Sequence, residues 1–446
     1  MIRSLAAGSI MMPGILQMLM GQDAGAAQIN PLAPKQPQFP GKAKRVIFMY
    51  MSGGTSHMDT FDYKPKLFAD GGKPKGPGGR PLLRPGWDFK PGGKCGTMVS
   101  DLFPYTRECM DDICMINSMH GDHPDHFQAT LGIHTGSVSF ARPSLGSWAT
   151  YGLGTMNQNL PCFVVLAPDL PYCGTQVWSS DFLPGCYQGT RILSGDEPIP
   201  DLMRRSPTVG VERMELGLLD RFNRRHQQYH ADNPQLAARI KSFETAFGMQ
   251  REMPEALDLS KETDATLALY GLERGSTKGF AWQCLMARRM VERGVRFVEL
   301  IDTGSSGNWD SHGDMHDHVH LAKNVDQPIA GLLKDLKSRG LLEDTLVVWT
   351  TEFGRTPTPD APKGRSHHPN CYSSWLAGAG VKGGMVYGKS SDYGDQIAEN
   401  GVHVHDFHAT ILQLLGFDHE KLTFRHGGRD YRLTDVSGTV VQDILT

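Results

Sequence analysis

Residues 309–320 place a dense set of metal-binding side chains within twelve positions. The stretch holds four histidines and three aspartates: His312, His316, His318, His320, Asp310, Asp314 and Asp317. Imidazole and carboxylate together are typical ligands of Zn²⁺ and Mn²⁺, whereas Ca²⁺ prefers oxygen. The stretch therefore predicts a divalent metal site, with zinc or manganese first and calcium as a further option. The alternative is a polar loop before a helix, whose histidines share a face because they lie four residues apart.

Four predicted strands are followed by segments rich in acids and imidazoles. Those segments are residues 52–62, 119–126, 302–312 and 351–355. In an open α/β sheet, ligands bind at the edge formed by the carboxyl ends of the strands. Metal-binding side chains at four such ends are therefore expected to converge, which strengthens the metal prediction. A loop-rich segment at residues 168–200, which includes Tyr172, is predicted to line the substrate pocket.

Alternation of strands and helices predicts the fold class. Short apolar runs at residues 44–51, 112–119, 161–167, 295–301 and 345–350 alternate with helical patterns at 124–134, 211–272, 280–293, 326–339 and 404–415. This order predicts an α/β fold with a doubly wound, mostly parallel sheet and helices on both faces. Asp326 and Pro328 are predicted to begin the helix at 326–339, as an acidic cap and an early proline.

At 446 residues the chain is long enough for one large domain or two. We interpret residues 44–446 as a single domain with long loop insertions at 63–100 and 168–210. Residues 28–43 contain several prolines and predict an extended linker. The hydrophobic content of 39% is ample for a packed core. With 45 basic and 48 acidic residues, the net charge is −3 and no basic run occurs, so we expect no nucleic-acid partner.

The first 27 residues resemble a secretory signal peptide. Arg3 precedes a weakly apolar segment at residues 5–20, and small residues follow at 24–27. The pattern predicts export to the periplasm or out of the cell, and the alternative is an ordinary buried helix. No other segment is long and apolar enough for a membrane anchor. The eight cysteines could form disulfides in an oxidising compartment, although none has Cys-x-x-Cys spacing.

Several short strings together resemble a known group of proteins. They are Ser52-Gly-Gly-Thr-Ser-His-Met-Asp-Thr-Phe-Asp62, Trp309-Asp-Ser-His312, Thr351-Glu-Phe-Gly-Arg-Thr356 and Gly364-Arg-Ser-His367. With them the chain resembles the alkaline phosphatase and sulfatase superfamily. More closely, it resembles a family of secreted bacterial proteins on that fold, named domain of unknown function 1501. The resemblance spans most of residues 44–436 and implies an alkaline phosphatase-like sheet and a divalent-metal centre.

The resemblance also implies a set of metal ligands. They are Asp59, Asp310, His312, Glu352 and His367. Asp59 is the nearest match to a ligand that follows the first strand, although it lies later than usual. Glu352 stands where the superfamily has an aspartate, and Phe353 replaces the histidine that follows it.

His126 occupies the position that corresponds to the nucleophile of the superfamily, nine residues before the pair Thr135-Gly136. An aldehyde nucleophile derived from cysteine is therefore excluded there, and a serine ester intermediate is disfavoured. Three catalytic roles stay open for His126: metal ligand, direct nucleophile, or general acid beside a metal-activated water. A purely structural histidine is the alternative. Arg355 is expected to help neutralise the oxyanion of the substrate.

These observations favour an exported, metal-dependent hydrolase of phosphate or sulfate esters, acting on a small molecule or a polysaccharide. The alternative function is a non-catalytic protein that kept the fold and binds a metal or a glycan. His126 at the nucleophile position, Phe353 and Ser366 favour this alternative. A third hypothesis is redox chemistry, because imidazole and carboxylate also bind iron.

Overall fold

The computed structural model describes residues 30–75, 79–195, 197–200, 202, 206–230 and 233–446. The segment predicted to be a signal peptide, residues 1–27, lies outside the described residues. Within the described residues, no helix is long and apolar enough to cross a membrane. All eight cysteines lie in the described part, and each is a free thiol.

The strands are numbered in chain order. They are β1 Arg45–Tyr50, β2 Phe89–Gly92, β3 Thr97–Ser100, β4 Ile113–His120, β5 Phe163–Leu166, β6 Thr190–Ile192, β7 Phe297–Ile301, β8 Thr345–Thr350, β9 Gly354–Pro359, β10 Arg365–His368, β11 Tyr372–Ala377, β12 Met385–Tyr387, β13 Lys389–Ser390, β14 Ile397–Glu399, β15 Val402–His403, β16 Phe424–His426 and β17 Arg429–Tyr431.

The α-helices follow the same numbering. They are α1 His57–Thr60, α2 Pro65–Asp70, α3 His126–Thr135, α4 Leu145–Leu153, α5 Val209–Tyr229, α6 Pro234–Leu257, α7 Asp264–Tyr270, α8 Phe280–Glu292, α9 His318–Ser338 and α10 Val404–Leu414.

One sheet organises the fold. Within the described residues it has nine strands in the order β12-β4-β11-β8-β1-β7-β5-β6, and β15 pairs with β4. The pairs are parallel, except that β11 runs antiparallel to both β4 and β8. The predicted mostly parallel sheet is therefore confirmed.

Helices cover both faces of the sheet, and its central strands are buried at nearly every position. In β1, Ile47 and Met49 point into a core formed with α8 and α9. The alternate residues Phe48 and Tyr50 point into a second core formed with α3, α4 and α10. A strand buried on both sides needs a continuous apolar run, since successive side chains point to opposite faces. This arrangement confirms the predicted doubly wound class.

The start of helix α9 differs from the prediction, which was wrong about Asp326. The helix begins at His318, and both Asp326 and Pro328 lie inside it. The buried carboxylate of Asp326 accepts hydrogen bonds from the backbone N–H groups of Tyr105 and Thr106, at 2.8 and 2.7 Å. A cap residue accepts hydrogen bonds from the free N–H groups of its own helix, whereas this aspartate accepts from the first N–H groups of a neighbouring 3₁₀ helix. Asp326 therefore makes a tertiary contact and does not mark the start of the helix.

The segments predicted to be a linker and two loop insertions pack against the sheet domain or contain helices and strands of their own. Leu32 is buried, and the backbone N–H of Lys35 donates to the carbonyl oxygen of Leu153 at 2.9 Å. The described part of residues 28–43 therefore packs against the sheet domain. The segment 63–100 contains α2 and the β2–β3 hairpin, and the segment 168–210 contains the edge strand β6.

His57 is expected to make the fold sensitive to acid. Its side chain is fully buried and its Nε2 donates to the carbonyl oxygen of Gly394 at 2.7 Å. Burial outweighs this hydrogen bond and lowers the pKa of His57 to about 3. An unfolded histidine has a pKa of about 6.5. Between these values the unfolded chain binds a proton that the folded chain does not, so stability falls as the pH drops below 6.5.

We predict that His57→Gln reduces this pH dependence. Wild-type protein should lose about 2 kcal/mol of unfolding free energy through His57 between pH 7 and pH 5. A glutamine side chain does not titrate, so the variant should lose less over the same interval, even if it is less stable at pH 7. Urea unfolding in metal-free buffer at both pH values measures the difference. His226→Gln, at an exposed histidine, is the control, and equal losses in wild type and His57→Gln would contradict the prediction.

Candidate metal centre

The candidate ligands meet at one edge of the sheet. His126 is the first residue of α3 after β4, Asp310 and His312 lie in the loop after β7, and Glu352 follows β8. His367 lies in β10, just before β11. Because β11 runs antiparallel, its amino end lies beside the carboxyl ends of its neighbours β4 and β8. His367 therefore reaches the same edge as the residues that follow the parallel strands.

Three imidazole rings surround the carboxylate of Asp310. The Nε2 atom of His126 lies 3.1 Å from Oδ2 of Asp310. The Nε2 atoms of His312 and His367 lie 2.9 and 3.1 Å from Oδ1 of the same carboxylate. One nitrogen from each ring is thus within hydrogen-bonding distance of a single acidic group.

The outer nitrogen of each ring donates to a separate oxygen. His126 Nδ1 lies 2.7 Å from Oε1 of Glu352, and His312 Nδ1 lies 2.7 Å from Oδ2 of Asp360. His367 Nδ1 lies 2.7 Å from the carbonyl oxygen of Pro124. Because carboxylate and carbonyl oxygens only accept, Nδ1 carries a proton in all three rings. Each Nε2 is therefore the atom that can offer a lone pair to the centre, as in metal-binding histidines whose second nitrogen is held by an oxygen.

This donor set fits a divalent transition metal. The Nε2 atoms of His312 and His367 lie only 2.8 Å apart, a separation that either a shared proton or a bound metal ion stabilises. His126, Asp310 and His367 each offer a ligand atom within 4.8 Å of the other two. Imidazole nitrogens with one carboxylate oxygen are a donor set that suits Zn²⁺. Calcium fits poorly, because it prefers oxygen ligands.

Glu352 lies behind this centre. Its Oε1 accepts from His126 Nδ1 and from the backbone N–H of Gly53 at 2.8 Å, and its Oε2 accepts from the hydroxyl of Thr351 at 3.0 Å. The side chain is buried. Both carboxylate oxygens are therefore engaged with protein groups, and Glu352 orients His126 where the sequence had predicted a direct ligand.

Arg355 is buried and contacts Asp310 from the side of the protein interior. Its Nη2 lies 2.7 Å from Oδ1 of Asp310. The same Nη2 also donates to the backbone carbonyl oxygens of Gly53 and Trp309, while Nε donates to that of Gly54 and Nη1 to that of Arg365. Its donors are thus occupied within the protein. This placement differs from the expected contact with a substrate oxyanion.

Asp59 does not join the cluster. Its Oδ2 lies 2.8 Å from Nε of Arg365 and accepts from the hydroxyl of Ser56 at 2.5 Å. Asp59 and Arg365 are both buried and form an ion pair next to the site. The first-strand ligand implied by the resemblance is therefore not placed at the centre, and the carboxylate balances a buried guanidinium.

Only the first part of the stretch 309–320 contributes to the centre. His316 is exposed and lies 3.1 Å from Asp314. His318 is buried, and its Nε2 accepts from the backbone N–H of Ser56 at 3.2 Å. The face shared by residues spaced four apart therefore does not form the site, and the relevant pair is Asp310 with His312.

Two residues complete the surroundings of the centre. The ring of Tyr172 stacks on His126, with centroids 4.1 Å apart and planes 4° apart, and its hydroxyl accepts from Asn308 at 2.9 Å. The predicted pocket segment therefore does supply Tyr172 to the site. Asp360 holds His312 but was missed, because the sequence around it was interpreted as a Pro-rich loop, whereas the structure places it directly after β9.

The pKa values of the residues at the centre are shifted because the groups are buried and lie close together. Burial alone would lower the pKa of His126, but its hydrogen bonds to Asp310 and Glu352 outweigh burial and raise the pKa to about 9. A metal that binds Nε2 of His126 at neutral pH therefore displaces a proton. Burial would raise the pKa of Asp310, yet the neighbouring histidines and Arg355 hold it far below its usual range. Asp310 is therefore fully ionised at any physiological pH. Burial raises the pKa of Tyr172 to about 12.

Comparison with known proteins gives a family and several distant structures. The model of the family described as "Protein of unknown function (DUF1501)" matches residues 43–445. Among curated proteins, none matches the sequence significantly.

Similar solved structures are distant in sequence. Ps i-CgsB is 12% identical, with 85% of this chain and 72% of that chain covered and a TM-score of 0.39. The lipoteichoic acid synthase LtaP from Listeria monocytogenes is 9% identical, with 90% and 78% covered and a TM-score of 0.38. Alkaline phosphatase from the Antarctic bacterium TAB5 is 12% identical, with 79% and 95% covered and a TM-score of 0.32. With TM-scores below 0.5, these likenesses decide nothing about this chain's chemistry.

We predict that Asp59→Asn lowers the stability of the fold, whereas Asp310→Asn lowers the affinity for zinc. Asp59→Asn leaves the buried Arg365 uncompensated, so it should lower the unfolding free energy by about 3 kcal/mol while zinc affinity stays at the wild-type value. Asp310→Asn removes the charge at the centre and should abolish tight zinc binding. Urea unfolding and competition with a coloured zinc chelator measure the two quantities. Loss of zinc binding in Asp59→Asn, to the extent seen in Asp310→Asn, would identify Asp59 as a ligand.

Proposed function

We propose, from the premise that this chain belongs to the DUF1501 family of proteins of unknown function, that it is a metal-dependent hydrolase of phosphate or sulfate esters. The observation that supports this proposal is the convergence of three imidazole Nε2 atoms on Asp310. The resemblance of its motifs to alkaline phosphatases and sulfatases supports the substrate class.

Asp310, His126, His312 and His367 would hold the metal, with zinc preferred over manganese. A divalent metal bound there would polarise an ester oxygen and acidify a water molecule. Hydrolysis then needs no covalent nucleophile, which agrees with the absence of a hydroxyl or thiol at position 126. His126 serves as a ligand in this proposal.

The remaining polar residues act as positioning residues. Glu352 and Asp360 each hold an imidazole by its Nδ1, which fixes the tautomer and the direction of Nε2. Arg355 fixes Asp310 from the interior and offsets its charge. A charged site of this density requires such rigid support, because a displacement of about 1 Å in catalytic geometry can cost about 10²-fold in rate.

Substrate would approach from the side of His312. The exposed fraction of the His312 side chain is 39%, against 26% for Asp310 and 10% for His126. Tyr172 covers one face of His126. The reactive ester is thus expected to lie over Asp310 and His312, with the rest of a small molecule or polysaccharide extending into solvent past Asp360.

A panel of esters tests the function. Zinc-loaded protein should hydrolyse at least one of p-nitrophenyl phosphate, p-nitrophenyl sulfate, a phosphorylated glycan or a sulfated glycan, and a chelator should stop turnover reversibly. His312→Ala should lower kcat/KM by about 10²-fold or more. Glu352→Gln should weaken zinc binding by about 10–100-fold. His226→Ala removes an exposed histidine of α5 that is not part of the candidate site. It is the matched control and should behave as wild type.

The alternative function is a non-catalytic metal- or glycan-binding protein. The specific observation in its favour is that His126 stands where a nucleophile would be expected. Stoichiometric zinc in wild-type protein, no turnover on the whole panel, and binding of an anionic polysaccharide would establish this alternative and reject the hydrolase.

We further propose export to the periplasm or the medium, on the signal-like pattern of residues 1–27. Protein recovered from the periplasm or culture fluid of an expressing bacterium should begin within about five residues of the small-residue segment 24–27. Amino-terminal sequencing measures this start. Recovery only from the cytoplasm, with Met1 retained or removed alone, would contradict export.

A further inference from the structure

A second histidine cluster lies where β15 meets the end of β4. His403, the last residue of β15, pairs in parallel register with His120, the last residue of β4. Asp122 follows β4 by two positions, and His405 lies in the first turn of α10. The repeated spacings His120-x-Asp122 and His403-x-His405 thus bring four metal-binding side chains from two distant parts of the sequence to one place.

The distances within this cluster suit a metal ion. His403 Nε2 lies 3.0 Å from Oδ1 of Asp122. Asp122, His403 and His405 each offer a ligand atom within 4.8 Å of the other two. The ring of His403 has its centroid 5.0 Å from the rings of both His120 and His405. For comparison, ligand atoms of a tetrahedral zinc ion with bonds of about 2.0 Å lie about 3.3 Å apart.

His405 has a buried ring nitrogen, Nδ1, without a hydrogen-bond partner among the described residues, which is an independent indication of a ligand at this cluster. Buried polar atoms are normally paired, because an unpaired one loses its hydration without compensation. This unpaired nitrogen is therefore available to a ligand that binds at the cluster.

We propose that Asp122, His403 and His405, with His120 adjacent, form a second binding site for a transition-metal dication such as Zn²⁺, separate from the Asp310 centre. Two or three imidazoles with one carboxylate are a zinc donor set. Asp122 has 54% of its side chain exposed and His403 has 21%, so the site is open to solvent and can exchange its ion.

Binding requires a change of tautomer in His403. In the absence of metal its Nδ1 accepts from the backbone N–H of His405 at 3.2 Å, so Nε2 carries the proton. When Nε2 binds the metal, the proton moves to Nδ1 and the hydrogen bond from His405 N–H is lost. The other half of the helix cap remains, in which Asp406 accepts from the backbone N–H of His403 at 2.9 Å.

The second site would support the first through the loop 121–125. Asp122 lies at one end of this loop, and Asp125 at the other end caps α3, whose first residue is His126. Between them, the carbonyl oxygen of Pro124 accepts from Nδ1 of His367. A metal bound to Asp122 would therefore immobilise the segment that positions two residues of the Asp310 centre.

Zinc and cobalt titrations test the proposal. Metal-free wild-type protein should bind two equivalents of Zn²⁺, and Co²⁺ should give visible absorption from both sites. His405→Ala combined with Asp122→Asn should lose one equivalent, while His312→Ala should lose the other and keep this one. His226→Ala is the control with the same loss of one imidazole. Because each variant leaves one site intact, failure of this proposal is distinguishable from failure of the proposed function.

Two further measurements guard against misfolding. Asp122→Asn changes only an exposed carboxylate, and His403→Asn removes the imidazole while asparagine keeps the helix cap. Each should weaken binding of the second Zn²⁺ at least tenfold without changing the unfolding midpoint of the metal-free protein. Unchanged stoichiometry and affinity in the double variant, relative to His226→Ala, would overturn the proposal.

Discussion

The carboxylate of Asp310 is the group on which the candidate site depends. It lies between the buried guanidinium of Arg355 and the Nε2 atoms of three histidines. Arg355 and the neighbouring histidines keep this carboxylate ionised, because burial without pairing would disfavour its ionised form. Arg355 provides positive charge from the interior. The histidines, held by their outer nitrogens, lie on the opposite side, where their Nε2 atoms and the carboxylate form the candidate metal site.

The direction of β11 explains how so distant a histidine reaches this centre. In a wholly parallel sheet, the residues that precede a strand lie at the opposite edge from those that follow its neighbours. Because β11 is antiparallel to β4 and β8, His367 at its amino end lies with His126 and Glu352 at the carboxyl ends. A single reversed strand thus completes a ligand set that parallel strands alone would leave open.

Much of this arrangement could be predicted from the sequence, for definite physical reasons. Apolar runs such as 345–350 were predicted to be strands, and the structure confirms a strand buried on both faces there. The structure also brings Asp310, His312 and His367 together at one edge. Asp59 and Glu352 were harder, because residue type does not reveal whether a carboxylate contacts a metal, an arginine or an imidazole N–H. Asp326 shows the same limit, since a cap and a tertiary acceptor have the same sequence pattern. These distinctions depend on which neighbours arrive from other strands.

The geometry of His126 bears on which of its three candidate roles is compatible with the fold. Glu352 occupies Nδ1, so Nε2 is the only nitrogen available as ligand, nucleophile or acid. Each role uses that atom exclusively. A nucleophile must reach the substrate, yet the side chain is only 10% exposed and Tyr172 covers one of its faces. A general acid needs a proton on Nε2, so in that role His126 is not a ligand and the metal is held by the other residues. A ligand needs no access to the substrate and releases its Nε2 proton to solvent when the metal binds, and the fixed ring with Nε2 directed towards Asp310 suits this role.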